Sequence, residues 1–232
     1  MKVFIGYDER EHLAYQVAHA SLISRSSVPL SVSPLDENVL RSSGLYTRNV
    51  DKRGGRYYDL TSSAPCSTDF ASSRFLTPII AQSGWALFVD CDVVFLDDVA
   101  KMFEYCDESK AVVVVQHNYV PMELTKMDNQ TQTVYSRKNW SSVMLFNCDH
   151  PANRRITLWD VNNRKGSQLH QFFWLNDDEI GALPAEWNWL VGVLPKPEQP
   201  KIAHFTLGGP WIEGRQPQEH DDVWLNECKK HF

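Results

Sequence analysis

The chain has 232 residues, of which 43% are hydrophobic, 12% aromatic and 22% charged, a composition that excludes a disordered or fibrous protein and fits a soluble globular one. Lys and Arg number 23 against 29 Asp and Glu, so the net charge of −6 argues against a broad basic surface for nucleic acid, though not against a local phosphate pocket. No apolar run approaches the ~20 residues of a spanning helix, and the strand-like start does not read as a signal peptide.

Taken in chain order, Val3-Phe4-Ile5 reads as a short strand broken by Gly6-Tyr7-Asp8-Glu9. A helical pattern follows from Glu11 to Ser24, with Leu13, Ala14, Val17, Ala18, Ala20 and Leu22 on the expected buried face. Strand, polar turn and helix in this order are a common opening of a nucleotide-binding α/β unit. Pro29 and Pro34 stop further helix, and residues 36–69, with Gly54-Gly55, read as a long, partly irregular surface region that carries function. Asp69 is the expected N-cap of a helix over Phe70 to Gln82, shortened or kinked by Pro78.

Ala86-Leu87-Phe88-Val89 is a buried strand running into Asp90-Cys91-Asp92, and Val93-Val94-Phe95-Leu96 continues the apolar run. Asp97-Asp98 cap a short helix holding Val99, Met102 and Phe103. Ala111 to Val115 and Val143 to Phe146 are further strands, and Asp149-His150-Pro151 opens another helix. This alternation predicts one α/β domain over residues 1–232, Rossmann-like, with a mainly parallel central sheet flanked by helices. The five cysteines are widely spaced with no C-x-x-C, which predicts reduced thiols and a cytoplasmic location. Of the eight tryptophans, Trp174, Trp187, Trp189, Trp211 and Trp224 fall in the last third, as core or as walls of a sugar or base site.

Three clusters carry chemistry. Asp90 and Asp92, one residue apart at a strand end, face one side if the strand alternation continues through them. Two carboxylates beside so apolar a segment call for compensation, and a hard cation such as Mn²⁺ or Mg²⁺ supplies it. The second cluster is Ile202 to Trp211, where His204 is a candidate ligand or a core histidine. Gly208-Gly209 there let backbone N–H groups approach a phosphate. The third is Asn176-Asp177-Asp178-Glu179, read either as a helix cap or as carboxylates presented into a site.

These clusters, in this order, resemble the GT-A fold glycosyltransferases of the family 8 type, such as glycogenin and the lipopolysaccharide galactosyltransferases. The resemblance covers roughly residues 2–27, 68–104, 138–160 and 172–212. It implies a hexosyltransferase that takes its sugar from a nucleoside diphosphate, with UDP the favoured carrier, and retains the anomeric configuration. It makes Asp90, Asp92 and His204 ligands of Mn²⁺ or Mg²⁺, and Tyr7 and Asp8 contacts to the base. Arg74 would lie near the donor sugar and diphosphate, Ser141-Ser142 beside the donor sugar, and Asp177 and Asp178 below it as catalytic polar groups. The family's Lys before Pro-Trp is Gly209 here, so Gly208-Gly209 and Arg215 are the expected replacements at the diphosphate. The acceptor, a saccharide, a lipid-linked sugar or another group, is left open. Two other readings compete: a haloacid-dehalogenase-like phosphohydrolase with Asp90 as nucleophile, and a non-catalytic sugar-binding module.

Overall fold

A computed structural model describes residues 1–53, 57–117, 137 and 139–232. Gly54 and Gly55 lie outside the described residues. The chain runs β1 (Lys2–Tyr7), α1 (His12–Arg25), β2 (Ser31–Asp36), α2 (Glu37–Ser42), β3 (Val50–Asp51), β4 (Tyr57–Asp59) and β5 (Ala64–Cys66). It continues through α3 (Thr77–Ala81), β6 (Trp85–Val89), β7 (Val93–Phe95), β8 (Val112–Val115), β9 (Val143–Asn147), α4 (Leu158–Asn163) and α5 (Gly166–His170). The last elements are β10 (Ile180–Leu183), β11 (Trp189–Leu190), β12 (Ile202–His204) and α6 (Asp221–His231).

The central sheet has the order β10-β8-β9-β6-β1-β2. Pairing is parallel between β10 and β8, β6 and β1, and β1 and β2, while β9 runs antiparallel to both its neighbours. The sheet is therefore mainly parallel, as the alternation of elements predicts. Continuous apolar runs at β6, β8 and β9 are what a strand covered on both faces requires, and every residue from Val112 to Val115 and from Val143 to Asn147 is buried. Pro34 is tolerated within β2 because that strand is at the sheet edge.

Two smaller sheets complete the fold, β11-β12-β7 and β3-β4-β5. β7 leaves the direction of β6 at Asp90-Cys91-Asp92 and pairs antiparallel with β12. Helix α1 covers β7, and the Ser21 hydroxyl accepts the Phe95 N–H at 3.0 Å. Buried positions on α1 are Ala14, Val17, Ala18, Ser21 and Leu22, whereas Leu13 is exposed, one position outside the stripe that meets the sheet. Arg25 clamps Glu227 with two hydrogen bonds of 2.6 and 2.7 Å and fastens α1 to α6.

The regular parts of residues 36–69 are α2 and the three-stranded antiparallel sheet of β3, β4 and β5, joined by turns. That unit is pinned by Arg48, whose guanidinium is buried and donates to Asp59 at 3.0 and 2.6 Å and to the Val161 carbonyl at 2.9 Å. The helix over Phe70 to Gln82 is shortened at Pro78, as expected, to a 3₁₀ turn, Ser73–Leu76, followed by the short α3, whose first turn holds the proline. Asp69 does not cap it and instead pairs with Lys52.

The tryptophan question resolves largely as core. Trp174, Trp187, Trp189 and Trp224 are buried, and Trp211 packs on Phe205 and Trp224. All five cysteines are free thiols. Among the described residues, no helix is long and apolar enough to cross a membrane.

Breaking a buried ion pair strands the surviving charge, so Asp59→Ala is expected to lower the unfolding free energy by about 3–5 kcal/mol in urea titrations. A loss below about 1 kcal/mol would mean that Arg48 finds other compensation.

Candidate metal and donor site

Parallel sheets of this kind present their ligand sites at the carboxyl ends of the strands. Asp8 follows β1, Asp90 follows β6 and His117 lies two residues beyond β8. Ser141 and Ser142 precede β9, and because β9 runs the opposite way its start lies at this same edge. Asn188 follows β10 through the turn Ala185–Asn188.

Asp90 and Asp92 sit in the bend between β6 and β7 rather than on a strand. His204 reaches them through sheet register. It pairs with Val93 across the β12–β7 ladder, and the Phe205 N–H donates to the Asp92 carbonyl at 2.8 Å. This places His204 Nε2 3.2 Å from Asp92 Oδ1. One ligand atom from each of Asp90, Asp92 and His204 lies within 4.8 Å of the others. The donor set of two carboxylates and an imidazole suits Mn²⁺ or Mg²⁺ with positions left for phosphate oxygens. Asp90 Oδ1 is 2.8 Å from Arg74 Nη1 but accepts no well-aligned hydrogen bond among the described residues, which leaves a buried lone pair there for a cation.

Supports for the cluster come from three directions. The buried Arg74 donates to the Ser141 carbonyl at 2.9 Å as well as pairing with Asp90, and its guanidinium lies against the Phe70 and Phe88 rings. The Asp90 N–H donates to the Ser142 carbonyl at 3.0 Å. On the third side the His204 Nδ1 meets Asn188 Oδ1 at 2.9 Å.

Electrostatics follow from this crowding. Burial, and then the Asp92 charge working against Arg74, pushes the Asp90 carboxyl up to about 6. Burial and the neighbouring Asp92 push Glu11 up to about 7, and Glu11 Oε2 accepts the buried Cys91 thiol at 3.2 Å. Burial opposes the charged form of His204, but the Asp92 and Asp90 carboxylates outweigh it and hold the imidazole above its ordinary range. His117, by contrast, is pushed down to about 4 by burial and by His204, and its buried Nε2 has no hydrogen-bond partner among the described residues.

The other sequence candidates are placed as follows. Asp8 is fully buried and accepts four hydrogen bonds: the Arg10 N–H and Nε on Oδ1, and Arg10 Nη2 and the Asp69 N–H on Oδ2. Burial raises its pKa, but those bonds and the Arg10 charge outweigh that and leave it below its ordinary value. Its acceptor capacity is thus taken up within the protein. What faces outward beside it is Arg10, stacked 3.7 Å over the Tyr57 ring. Tyr7 meets His12 Nδ1 through its hydroxyl at 3.1 Å. Ser141 Oγ is 2.6 Å from His170 Nδ1.

Gly208 has φ +94°, the left-handed region, and a Cβ on Gly209 would fall 1.9 Å from the Trp211 ring. No side chain, lysine included, fits at 209 with Trp211 in this position. The Arg215 side chain is buried and held by Asp221 at 2.8 and 3.0 Å beside the start of α6.

Asp177 and Asp178 are not brought to the cluster. They precede β10, at the opposite end of the sheet from Asp90, because β10 and β6 both run parallel to β8's direction. The Asp178 carbonyl accepts from Lys110 ahead of β8, and Asp177 is exposed and paired with Arg137. Asn176 and Glu179 cap the intervening turn, with the Asn176 N–H donating to Glu179 at 2.8 Å. Sequence reasoning missed Glu11, Arg10, His117 and Asn188. Only position could have flagged them: Glu11, Arg10 and His117 follow strands that end at the site edge, and Asn188 lies in Trp187-Asn188-Trp189, a polar residue inside an aromatic run.

The fold is that of the GT-A glycosyltransferases. The galactosyltransferase LgtC, solved with donor and acceptor sugar analogues, superposes over 100% of this chain and 96% of its own with a TM-score of 0.61 at 12% identity. GlyE of Streptococcus pneumoniae aligns with 98% of the chain at 12% identity and a TM-score of 0.58, and the chain spans 59% of GlyE. In sequence, the chain is 45% identical over 236 residues to Protein CDI of Arabidopsis thaliana, covering 99% of the chain and 86% of that protein. It belongs to the family of Protein CDI. No family model matches the sequence.

Metal binding requires Asp90 ionised and His204 with a free Nε2, and both groups sit above their ordinary pKa values. Mn²⁺ affinity measured by electron paramagnetic resonance is therefore expected to fall about tenfold or more between about pH 8 and about pH 6. A flat profile would separate the ion from these residues. Gly209→Lys is expected to lower the melting temperature by displacing the Trp211 indole. Unchanged stability would show that the 208–211 turn is free to reshape.

Proposed function

We propose that this protein is a metal-dependent glycosyltransferase of the family 8 type, acting as a single domain. It moves a hexose from a nucleoside diphosphate sugar, with UDP as the favoured carrier, to an acceptor with retention of configuration. The observation that carries this reading is the Asp90–Asp92–His204 cluster at the carboxyl edge of a GT-A sheet. The residues fit Mn²⁺ or Mg²⁺, and such an ion supplies charge stabilisation for the departing diphosphate.

In this reading, Asp90, Asp92 and His204 hold the cation. Arg74 fixes the Asp90 carboxylate from behind and keeps a positive charge near the leaving group, while the Ser141 and Ser142 carbonyls hold Arg74 and Asp90 in place. At the Gly208-Gly209 turn the Gly208 N–H is held by the Phe205 carbonyl at 2.7 Å, so the Gly209 N–H is the backbone donor offered to the diphosphate. Tyr7 and the Arg10–Tyr57 pair border the base, with Asp8 buttressing Arg10. Arg215 reaches a phosphate only by leaving Asp221, and Asp177 and Asp178 act in transfer only if the chain before β10 rearranges. The GT-A fold and the Arg74 pairing disfavour Asp90 as a phosphohydrolase nucleophile. A ligand set gathered from the β6–β7 bend and from β12 favours catalysis over simple sugar binding.

The test is thermal denaturation with UDP, with and without Mn²⁺. UDP is expected to raise the melting temperature only when Mn²⁺ is present, and the shift should vanish in Asp92→Asn. Transfer or donor hydrolysis by Asp92→Asn should fall about 10²–10³-fold, the scale of one lost electrostatic stabiliser. Wild-type turnover by Asp92→Asn at limiting Mn²⁺ would refute the metal assignment.

A further inference from the structure

An imidazole ligand binds a cation through one nitrogen only if that nitrogen carries a lone pair, and the hydrogen bond at the other nitrogen decides this. His204 has two possible neutral forms in its pocket. With the proton on Nδ1, Nε2 is free for a cation. With the proton on Nε2, the ring donates to Asp92 Oδ1, 3.2 Å away, and the ligand nitrogen is blocked. Asp92 by itself favours the blocked form whenever no cation is bound, because a carboxylate attracts an N–H.

The partner of Nδ1 is Asn188, whose amide can present either its oxygen or its NH₂ group. Its orientation is decided one step further away. The Ser142 hydroxyl has one proton, and it goes to the Asn139 carbonyl at 2.8 Å, a group that can only accept. Ser142 Oγ therefore has only lone pairs left for Asn188, and the group 2.9 Å from it must be the Nδ2 amide. Asn188 Oδ1 then faces His204 Nδ1, which must be protonated. The reverse orientation would turn both the Ser142 hydroxyl and the Asn188 amide away from the Asn139 carbonyl, since Nδ2 also lies 3.5 Å from that oxygen. Asn188 is fully buried and Ser142 and His204 nearly so, so water does not stand in for a lost partner.

We infer that Ser142 and Asn188 are positioning residues that lock the His204 imidazole in its Nδ1–H form through the chain Asn139 carbonyl, Ser142 hydroxyl, Asn188 amide, His204 ring. The inference rests on the reading of His204 as a metal ligand. It adds a second consequence. Ser142 also accepts the Asp90 N–H through its carbonyl, so one residue joins the carboxylate side of the cluster to the imidazole side. A shift of the 139–142 segment would alter both ligands together.

The test is long-range ¹H–¹⁵N correlation spectroscopy of the metal-free protein at alkaline pH, where the ring is neutral, with His204 assigned from its missing signals in His204→Gln. The wild type is expected to show His204 as the Nδ1–H tautomer. Asn188→Asp, which still accepts from Nδ1–H, keeps that tautomer. Ser142→Ala and Asn188→Leu shift it toward the Nε2–H form paired with Asp92, and their Mn²⁺ affinity by electron paramagnetic resonance falls about 10–100-fold. An Nε2–H tautomer in the wild type overturns the inference, as does Asn188→Leu with an unchanged tautomer and Mn²⁺ affinity within a factor of two. If the wild type shows Nδ1–H but binds no Mn²⁺, the lock stands and the metal reading alone fails.

Discussion

Carboxylates brought together out of water repel one another and lose hydration, and the Asp90–Asp92 bend exists only because its surroundings compensate for both. Arg74 supplies positive charge behind Asp90, the Ser142 carbonyl takes the Asp90 N–H, and β12 carries His204 in against Asp92. Even so, the compensation is incomplete: Asp90 is held above its ordinary pKa, and Glu11 beside Asp92 is pushed up to about 7. A site left in this state fits the proposed cation, and perturbed carboxylates in such a position mark a candidate functional site.

The fold delivers that site through two sheets that share one turn. β6 belongs to the central sheet and β7 to the small one, so Asp90-Cys91-Asp92 is the corner where the chain passes between them. Because β7 pairs antiparallel with β12, a residue 112 positions downstream of Asp92 arrives beside it by register alone. The completely buried β7 and the core around Val94, Trp189, Phe205 and Trp224 make that register hard to slip, since a one-residue shift would move Val94 out of the core it fills and exchange the two buried faces of β7. The ligand geometry is thus a product of core packing.

Much of this was legible in the residues. The apolar runs at Val3, Ala86, Ala111 and Val143 announce buried strands, and the polar residues that end the first three, with Ser141-Ser142 ahead of the last, lie at the site edge. Asp90, Asp92 and His204 stand out because carboxylates and an imidazole interrupt apolar runs. What escaped was whatever depends on direction or partner. Asp177 and Asp178 look like site acids in sequence, yet they lead into β10 rather than out of it, which puts them at the far edge. Asp8 looks like a free acceptor, but Arg10, two residues on, folds back to occupy it. Residues 36–69 hide a small sheet because its strands are only two or three residues long, too short for any alternation to show. Asn188 carries no signal beyond its aromatic neighbours, since its role lies in a hydrogen bond to a ring 16 residues away.

The most direct test of the account is a crystal structure with Mn²⁺ and UDP, with the ion located by anomalous scattering. The account predicts one Mn²⁺ bound by an oxygen of Asp90, an oxygen of Asp92 and Nε2 of His204, each at about 2.0–2.6 Å, with the diphosphate oxygens completing its coordination. An ion bound elsewhere, or UDP seated with His204 turned away from it, would contradict the account.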